Sequence, residues 1–411
     1  MKVQIVLPEK LYILKDFEQI NIQDASEEFN IYFKNIIHPY KAEWDVITEC
    51  EYGKNHGAFW RITEFPRELE SFPLKIKVYD EYGEKIGENE TTVVMNTVKQ
   101  NPGKMRLLCI GDSMTQAQVY IDHVAKKLKN IEFIGTRSFN NVIFHEGRGG
   151  WAWDGYFNRS YIRNGVSPFL FPENVEGKDY FGCVEFYEET QKFPRDDYCY
   201  SGYKYEEIKD GQYFTKEKIL YKRENDSDIL IDKEPKFEFS FKKYVERYDL
   251  GKVDAVSILM GGNDLQLCTY EEIEDRVKEF TDNTLFVINK IKENDPDTKI
   301  ILNTPIIGAE QYCWGNSPMR CRSGSKIYRM LAIKSTKSFI DNFENMENVY
   351  ISPMIYNLDP QYGFDTAYYK ANRYSEINVQ YQSNWVHPNT SGYKQMGDSL
   401  AATIEEIRKE K

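Results

Sequence analysis

Short stretches of alternating apolar and polar residues fill the first hundred positions of the chain. Residues 75–79 and 91–95 alternate in this way, and a turn signal at residues 81–83 lies between them. A period of two is typical of strands with one buried face, and closely spaced turns favour antiparallel neighbours. We therefore predict a small, antiparallel all-β sandwich over residues 1–100, followed by a linker at residues 99–103.

The pattern changes at about residue 105 to strands that alternate with helices. Residues 106–110 and 255–260 are short, mostly apolar runs, and each precedes a segment whose apolar residues repeat with the helical period. Further strands and helices are predicted at 131–134, 299–302, 325–343, 349–351 and 391–409. This alternation is typical of a parallel sheet covered by helices on both faces. The sequence thus predicts an α/β fold, a three-layer α/β/α domain over residues 101–411.

Between about residues 165 and 250 this alternation disappears. The segment is rich in Tyr, Phe, Lys, Glu and Asp, and residues 237–242 alternate as a strand does. A bare loop of this length is uncommon in a compact domain, so we predict a β-rich insertion or lid. Its aromatic residues form either a small core of the insertion or a wall that faces a substrate. They are Tyr180, Phe181, Phe186, Tyr187, Tyr198, Tyr200, Tyr203 and Tyr205.

Charge and cysteine content exclude several function classes. The chain of 411 residues has 53 Lys+Arg against 65 Asp+Glu, a formal charge of −12, which disfavours nucleic acid or an anionic membrane surface as the main partner. No apolar run reaches the ~18 residues of a membrane span, and Glu9 and Lys10 interrupt any signal peptide, so we expect a soluble cytoplasmic protein.

Seven cysteines without C-x-x-C spacing predict neither a disulfide framework nor a zinc site, although Cys313 and Cys321 are close enough in sequence to pair. We expect reduced thiols, no metal and no cofactor.

The first candidate for chemistry is Ser113, in Gly111-Asp112-Ser113. It ends a predicted buried strand and opens a helix, a position at the carboxyl edge of a parallel sheet where free backbone amides favour developing negative charge. Serine is equally common as the N-cap of a helix, so the triplet alone leaves both interpretations open.

A nucleophilic serine needs a base. His387 lies in a His-Pro turn ahead of the last predicted helix, where it could reach the sheet edge, and His145 stays a second candidate. His123 is ten residues along the helix that follows the serine, about 15 Å away at 1.5 Å per residue. The other two histidines, His38 and His56, belong to the N-terminal β region.

Two glycine-containing loops could supply the hydrogen-bond donors of an oxyanion hole. One spans residues 145–151, and the other, residues 261–264, directly follows a predicted strand. Glycine lets a backbone N–H face a site, yet each loop also has a plain turn explanation. Taken singly, neither loop decides between an oxyanion hole and an ordinary turn.

Together, four segments resemble, in order, the four sequence blocks of the SGNH/GDSL hydrolase family. They are Gly111-Asp112-Ser113, Gly150, Gly261-x-Asn263-Asp264 and His387. The resemblance covers residues 105–411 except the insertion, and implies a flavodoxin-like sheet and esterase activity. It implies Ser113 as nucleophile, His387 as general base, and an oxyanion hole made by the backbone N–H groups of Ser113 and Gly150 with the side chain of Asn263. Asp112 and Asp264 would then fix loop geometry.

One departure from the family pattern concerns the third catalytic residue. The family usually has Asp three residues before its histidine, where this chain has Asn384. Asn can orient the ring with its carbonyl oxygen but brings no charge, and in serine proteases the same change lowers turnover by about 10⁴. Three interpretations stay open: a Ser–His dyad helped by a backbone carbonyl or another carboxylate, a slow enzyme or transferase, and a catalytically dead binding domain.

The expected substrate is an acylated carbohydrate. Trp151 and Trp153 follow the predicted oxyanion glycine, and aromatic side chains are typical sugar platforms. Family members with a β-sandwich ahead of the catalytic domain look like carbohydrate esterases that remove O-acetyl groups. The alternatives are a glycan-binding or assembly module on a decayed esterase scaffold, and a polysaccharide O-acetyltransferase, for which no acetyl-CoA site is evident. Whether the protein forms a homo-oligomer stays open.

Overall fold

A computed structural model describes residues 2–15, 28–66, 68–157, 167–172, 212–214, 220–224, 227–232, 237–309 and 325–409. The eight aromatic residues considered as a substrate wall, and Cys313 with Cys321, lie outside the described residues. Of the described cysteines, Cys50, Cys109 and Cys268 are free thiols.

The N-terminal region is rich in short strands. They are β1 (Gln4–Ile5), β2 (Lys10–Lys15), β3 (Phe29–Tyr32), β4 (Ile37–His38), β5 (Asp45–Glu49), β6 (Lys54–Asn55), β7 (Phe59–Ile62), β8 (Ser71–Tyr79) and β9 (Lys85–Thr97), with one helical turn, α1 (Phe33–Ile36). The strands form a four-stranded sheet in the order β2-β9-β8-β5, a three-stranded sheet in the order β3-β7-β6, and the pair β1-β4. β2 runs parallel to β9, so the antiparallel prediction is wrong for this pair. The two strands are far apart in sequence, and no tight turn imposes an antiparallel register on them.

The rest of the chain carries the strands of the main sheet and of the insertion. They are β10 (Met105–Gly111), β11 (Ile131–Ile134), β12 (Glu146–Gly147), β13 (Leu170–Pro172), β14 (Gln212–Phe214), β15 (Leu220–Glu224), β16 (Ser227–Asp232), β17 (Phe237–Phe239), β18 (Ala255–Leu259), β19 (Lys299–Asn303), β20 (Val349–Ser352), β21 (Thr366–Lys370) and β22 (Asn378–Gln382). The helices are α2 (Ser113–Gln116), α3 (Val119–Lys127), α4 (Trp153–Phe157), α5 (Phe241–Arg247), α6 (Ile273–Asn294), α7 (Ser325–Phe343), α8 (Met354–Asn357) and α9 (Thr390–Lys409).

The central sheet is parallel, with strand order β11-β10-β18-β19-β20. In chain order this is 2-1-3-4-5, the flavodoxin-like arrangement, in which ligands bind beyond the carboxyl ends of the strands where the order reverses. Here that reversal lies next to β10, the strand that leads to Ser113. The described parts of the insertion are β-rich, as predicted: β13 pairs with β17, and β14, β15 and β16 form a small sheet.

Alternate side chains of β10 enter two different cores. Leu107 and Cys109 belong to the apolar cluster that also contains residues of α3 and α9, whereas Leu108 and Ile110 belong to the cluster with α5 and α6. Since strand side chains alternate between faces, the sheet is covered on both sides. The three-layer α/β/α prediction is confirmed. Within the described ranges, every helix is too short or too polar to cross a membrane.

The N-terminal strands share their core with the α/β part through α9 and α8. Apolar residues of β2 and β9 belong to the same buried cluster as those of α9. Asn96 Nδ2 donates to the Ala402 carbonyl at 2.8 Å, and Asn35 Nδ2 donates to the Ile355 carbonyl at 2.8 Å, both buried. Buried hydrogen bonds of this kind fix the register between packed elements, so the two parts are joined by specific contacts and not only by apolar area.

Candidate active site

Ser113 opens α2 directly beyond the end of β10. Asp112, not Ser113, is the N-cap: its Oδ1 accepts the Met114 N–H at 2.9 Å. The alternative that Ser113 caps the helix is therefore wrong, and its hydroxyl is left for another partner. Gly111 is required just before them, because a Cβ there would lie 2.0 Å from Thr115 Oγ1.

The partner of Ser113 is His387. Ser113 Oγ lies 2.7 Å from His387 Nε2, although the two residues are 274 positions apart. His387 stands between the hairpin β21–β22 and α9, so the loop before the last helix returns the imidazole to the carboxyl edge of the sheet. Burial lowers the pKa of His387, which favours a neutral ring near pH 7. A neutral ring can accept the serine proton.

Asn384 fixes the loop and not the ring. Its Oδ1 accepts the backbone N–H groups of Val386 at 3.3 Å and of His387 at 3.0 Å. The expectation that Asn384 orients the imidazole with this oxygen is therefore wrong for the described structure, because the backbone occupies it. Among the described residues, the hydrogen bond of the His387 ring is the one to Ser113, and the cause of its lowered pKa is burial and not a charge.

The other histidines considered as bases are engaged elsewhere. His145 is buried, its Nδ1 accepts the Gly147 N–H at 3.0 Å, and burial lowers its pKa to about 4. His123 Nε2 lies 2.8 Å from Asp398 Oδ1 on α9. Of the five histidines, His387 is the one that contacts Ser113.

Asp264 and Asn263 join the two candidate oxyanion loops. Asp264 Oδ1 accepts the Trp153 N–H at 2.8 Å and its Oδ2 accepts the Gly261 N–H at 3.1 Å. Asn263 Nδ2 donates to the Trp151 carbonyl at 2.9 Å. Burial raises the pKa of Asp264 to about 6. Two of these hydrogen bonds, from the Trp153 N–H and to the Trp151 carbonyl, thus join the loop that follows β18 to the segment that carries Gly150, and the third closes the loop that follows β18 on itself.

Asp112 brings the same loop against the nucleophile turn. A Cβ at Gly262 would lie 2.3 Å from Asp112 Oδ2, so the backbone of Gly262 packs directly against the Asp112 carboxyl group. Burial raises the pKa of Asp112 to about 7, and the nearby Asp264 carboxylate adds to the effect. Both aspartates are buried and contact the loops, while the Ser113–His387 pair lies beside them.

Gly150 sits in a turn that lies against α2. Its φ is +80°, in the left-handed region that favours glycine. The preceding Gly149 N–H donates to Gln116 Oε1, and a Cβ at Gly147 would lie 2.2 Å from the Gln116 backbone nitrogen. The turn is therefore held one helical turn beyond Ser113.

The two tryptophans predicted to face a substrate are both in the core. Trp151 and Trp153 are each 0% exposed. Trp151 packs edge-on against Tyr156, with ring centroids 5.0 Å apart, and Trp153 Nε1 donates to Thr284 Oγ1 of α6 at 3.1 Å. The substrate-wall prediction is wrong for both, because each ring fills space inside the protein.

A buried ion pair behind the Gly150 turn was not predicted. Glu146 and Arg148 are 2.8 Å apart and almost fully buried, and the Tyr244 hydroxyl donates to Glu146 Oε1 at 2.8 Å. The i, i+2 spacing of Glu146 and Arg148 on an extended segment places both on one face, which was the available sequence signal. Tyr244 comes from α5, after the insertion, and no sequence spacing links it to this pair.

No protein-family model and no curated protein matches the chain. A carbohydrate acetylesterase family member from Sinorhizobium meliloti is 12% identical, over 74% of this chain and 99% of that one, with a TM-score of 0.35. A carbohydrate esterase family 2 enzyme with a carbohydrate binding domain from Corynascus thermopiles is 12% identical, over 93% of each chain, with a TM-score of 0.33. A lipase/acylhydrolase from Enterococcus faecalis is 13% identical, over 74% and 96%, with a TM-score of 0.33.

At these identities and TM-scores, the likenesses carry no argument about activity. The resemblance to the SGNH/GDSL hydrolases rests on the chain's own motifs. The first and last of them meet at the Ser113–His387 contact, and the two loops between them are hydrogen-bonded to each other.

Proposed function

We propose that this chain is a serine esterase of the SGNH/GDSL type that removes O-acyl groups, and specifically O-acetyl groups, from a carbohydrate. The single observation that carries the proposal is the 2.7 Å contact between Ser113 Oγ and His387 Nε2 at the carboxyl edge of a parallel sheet. A nucleophile within hydrogen-bonding reach of a base is the geometry that covalent catalysis requires.

In the first step, His387 Nε2 takes the proton of Ser113 as the hydroxyl attacks the ester carbonyl. The attack forms the Ser113–acyl bond and a tetrahedral oxyanion. His387 then returns the proton to the departing sugar oxygen as the original C–O bond breaks. The pKa of His387, lowered by burial, supports the first half of this step because the ring begins unprotonated.

We assign the oxyanion to three donors. The Ser113 N–H is at the start of a helix, where backbone N–H groups have no intrahelical acceptor. Asn263 gives one amide hydrogen to the Trp151 carbonyl, and an Asn side chain has a second one to give. The third donor is the Gly150 N–H. Donors held in place before the reaction act most strongly on charge that develops during it.

In the second step, water replaces the sugar. His387 takes a proton from water, the hydroxide attacks the acyl carbon, and the same donors hold the second oxyanion. Its collapse breaks the Ser113–acyl bond, returns the proton to Ser113 and releases the carboxylic acid. We propose that Asp112 and Asp264 keep the loops in position through both steps.

Exposed aromatic side chains close to His387 in sequence support a carbohydrate substrate. Tyr368 and Tyr374 of the hairpin that precedes His387 are 71% and 84% exposed. Tyrosine rings with a polar edge suit sugars better than acyl chains, which require an apolar slot.

We also propose that residues 1–100 form a β-sandwich accessory domain. Trp60 of β7 and Phe72 of β8 have ring centroids 6.2 Å apart, which brings the three-stranded and four-stranded sheets into contact. Its role would be to bind glycan or to cover part of the rim of the site.

Turnover of 4-nitrophenyl acetate by wild-type and Ser113→Ala protein tests the proposed function. We expect Ser113→Ala to abolish turnover and a serine-directed phosphonate to label Ser113 in the wild type, as read by mass spectrometry. Ser71→Ala, at an exposed strand position, is the matched control and should keep wild-type turnover and labelling. Full activity of the Ser113→Ala protein would show the assignment to be wrong.

A second candidate is a glycan-binding module on a decayed esterase scaffold. The observation that favours it is His387 itself, whose ring has no carboxylate partner among the described residues. This alternative predicts glycan affinity with neither ester turnover nor phosphonate labelling. A transferase would instead turn over only with an acceptor other than water.

A further inference from the structure

A cavity of about 270 Å³ adjoins the turn that carries Ser113. It is lined by Gln116, Thr136, Arg137, Ser138, Phe139 and His145. Gln116 lies three residues after Ser113 in α2, and side chains at that spacing are ~5–6 Å apart at Cβ. The cavity therefore begins one helical turn from the proposed nucleophile.

Hydrogen-bond donors dominate the polar lining of this cavity. Gln116 Oε1 already accepts the Gly149 N–H, which leaves its amide nitrogen as the group with hydrogens to give. His145 Nδ1 accepts the Gly147 N–H, so the ring proton belongs on Nε2, and Nε2 has no partner within the described part of the chain. Arg137 adds a guanidinium, which has five N–H donors and gives one of them to the Gly147 carbonyl at 3.5 Å. A buried donor without an acceptor calls for an explanation, and a bound acceptor supplies one.

Phe139 forms an aromatic rim beside these donors. It is 70% exposed, and its ring centroid lies 6.4 Å from that of His145. The turn that presents it is held by hydrogen bonds, because Ser138 Oγ accepts the N–H groups of Asn140 at 3.2 Å and Asn141 at 2.9 Å. An aromatic face on such a turn can pack against the C–H face of a sugar ring.

We propose that this cavity is a subsite for a carboxylate-bearing sugar of the ester substrate, a uronate, with Arg137, Gln116 and His145 toward the carboxylate and Phe139 under the ring. The proposal rests on the proposed function and names its substrate class. Among the described residues that line the cavity, none has a carboxylate side chain, and guanidinium groups bind carboxylates through paired N–H donors. The cavity thus selects for an anion locally, although the whole chain has a charge of −12.

The test compares two glycosides that differ only at C6. Acetate release would be measured for a methyl glucuronoside and a methyl glucoside that carry the same O-acetyl groups, with 4-nitrophenyl acetate as a substrate too small to span the subsite. We expect kcat/KM to be about tenfold or more higher for the glucuronoside, since a charge-assisted hydrogen bond is roughly twice as strong as a neutral one. Equal kcat/KM values for the two glycosides would overturn the proposal.

Substitutions test which residues cause the preference for the glucuronoside. Arg137→Met should bring the ratio of the two kcat/KM values close to one. Lys126→Met removes a positive charge from an exposed position at the far end of α3, and should leave the ratio unchanged. Phe139→Ala, at an exposed position, should lower kcat/KM for both glycosides. Folding of the Arg137→Met protein would be checked by circular dichroism. If the folded variant keeps the wild-type ratio of the two kcat/KM values, Arg137 does not bind the carboxylate and the proposal is overturned.

A binding experiment separates this proposal from the proposed function. Methyl glucuronoside and methyl glucoside without acetyl groups would be titrated into the Ser113→Ala protein and followed by calorimetry. We expect the glucuronoside to bind about tenfold or more tightly than the glucoside, whether or not the wild type hydrolyses any ester. If no ester is turned over but the glucuronoside binds, the esterase is refuted and the subsite stands. If esters are turned over but the two glycosides bind alike, the subsite is refuted.

Discussion

Asn384→Asp is the substitution that tests the catalytic site most directly. Asn384 Oδ1 holds the backbone N–H groups of Val386 and His387, at 3.3 Å and 3.0 Å. An aspartate has the same shape and can keep both hydrogen bonds with one oxygen. Its second oxygen replaces the amide nitrogen and brings a negative charge to the loop that carries the imidazole. The change adds a charge with little change in geometry.

The size of the effect follows from the distance between the new charge and the ring. With Oδ1 3.0 Å from the backbone nitrogen of His387, we expect a carboxylate about 4–6 Å from the imidazole, a range in which opposite charges shift a pKa by about 1–3 units. At 4 Å and an effective dielectric constant near 20, the attraction is about 4 kcal/mol, and solvent reduces it at this half-buried site. One unit of pKa is ~1.4 kcal/mol and a factor of ten. Since the imidazolium forms in the transition state, turnover should rise about tenfold or more.

The assay is the pH dependence of kcat/KM with 4-nitrophenyl acetate. In the wild type, burial lowers the pKa of His387 from its usual 6.5, so activity is present above that lowered pKa and is lost as pH falls through it. In Asn384→Asp the pKa rises, so the acid limb moves to higher pH while the plateau increases. Asn372→Asp is the control: it adds the same charge at the hairpin turn, where Asn372 Oδ1 also accepts a backbone N–H. An acid limb that stays in place in Asn384→Asp would refute the reasoning.

The remaining predictions concern the loops and the buried tryptophan. Asp264→Asn loses one of two acceptors for backbone N–H groups, so we expect the free energy of unfolding, measured in urea, to fall by about 1–3 kcal/mol and kcat to decrease. An unchanged free energy of unfolding together with an unchanged kcat would contradict the role of the Asp264 hydrogen bonds. Gly262→Ala places a Cβ 2.3 Å from Asp112 Oδ2 and should cost about 1–3 kcal/mol of unfolding free energy, so a variant as stable as the wild type would count against that contact. Trp153→Phe loses the hydrogen bond to Thr284 and should lower the free energy of unfolding by about 1 kcal/mol. We expect KM for acetylated sugars to stay unchanged, and a raised KM would indicate that Trp153 contacts the substrate.

The parallel sheet and the Ser–His pair could be predicted from the sequence because each leaves a local signal. Apolar runs such as residues 106–110 are strands buried on both faces, and such strands occur almost only in parallel sheets. Gly111-Asp112-Ser113 at the end of such a run is placed at the carboxyl edge by the strand–helix alternation. In the sequence, His387 is distinguished from His145 only by the resemblance to the SGNH/GDSL hydrolases.

What the sequence could not decide depended on partners far along the chain. Asp and Ser cap helices about equally well, so the choice of Asp112 over Ser113 is made by the turn geometry. Trp153 next to glycines looks like a site aromatic until α6, more than a hundred residues later, supplies Thr284 for its indole N–H. The parallel pairing of β2 with β9 is likewise set by tertiary packing, in which both strands share a core with α9.

The burial of Trp151 and Trp153 bears on how the site could work without a triad aspartate. Trp151 belongs to the loop that carries Gly150, and Trp153 begins α4 directly after it. Their rings anchor this segment in the core, while Asn263 and Asp264 bind its backbone. A donor held rigidly before reaction loses no free energy to reorganisation when the oxyanion forms. In serine proteases, the oxyanion hole and substrate binding alone retain a rate enhancement of about 10³–10⁴ over water when triad members are removed. We therefore expect the proposed oxyanion donors to supply a larger share of catalysis here than in a full triad, so that Asn263→Ala lowers kcat by a larger factor in the wild type than in an Asn384→Asp background.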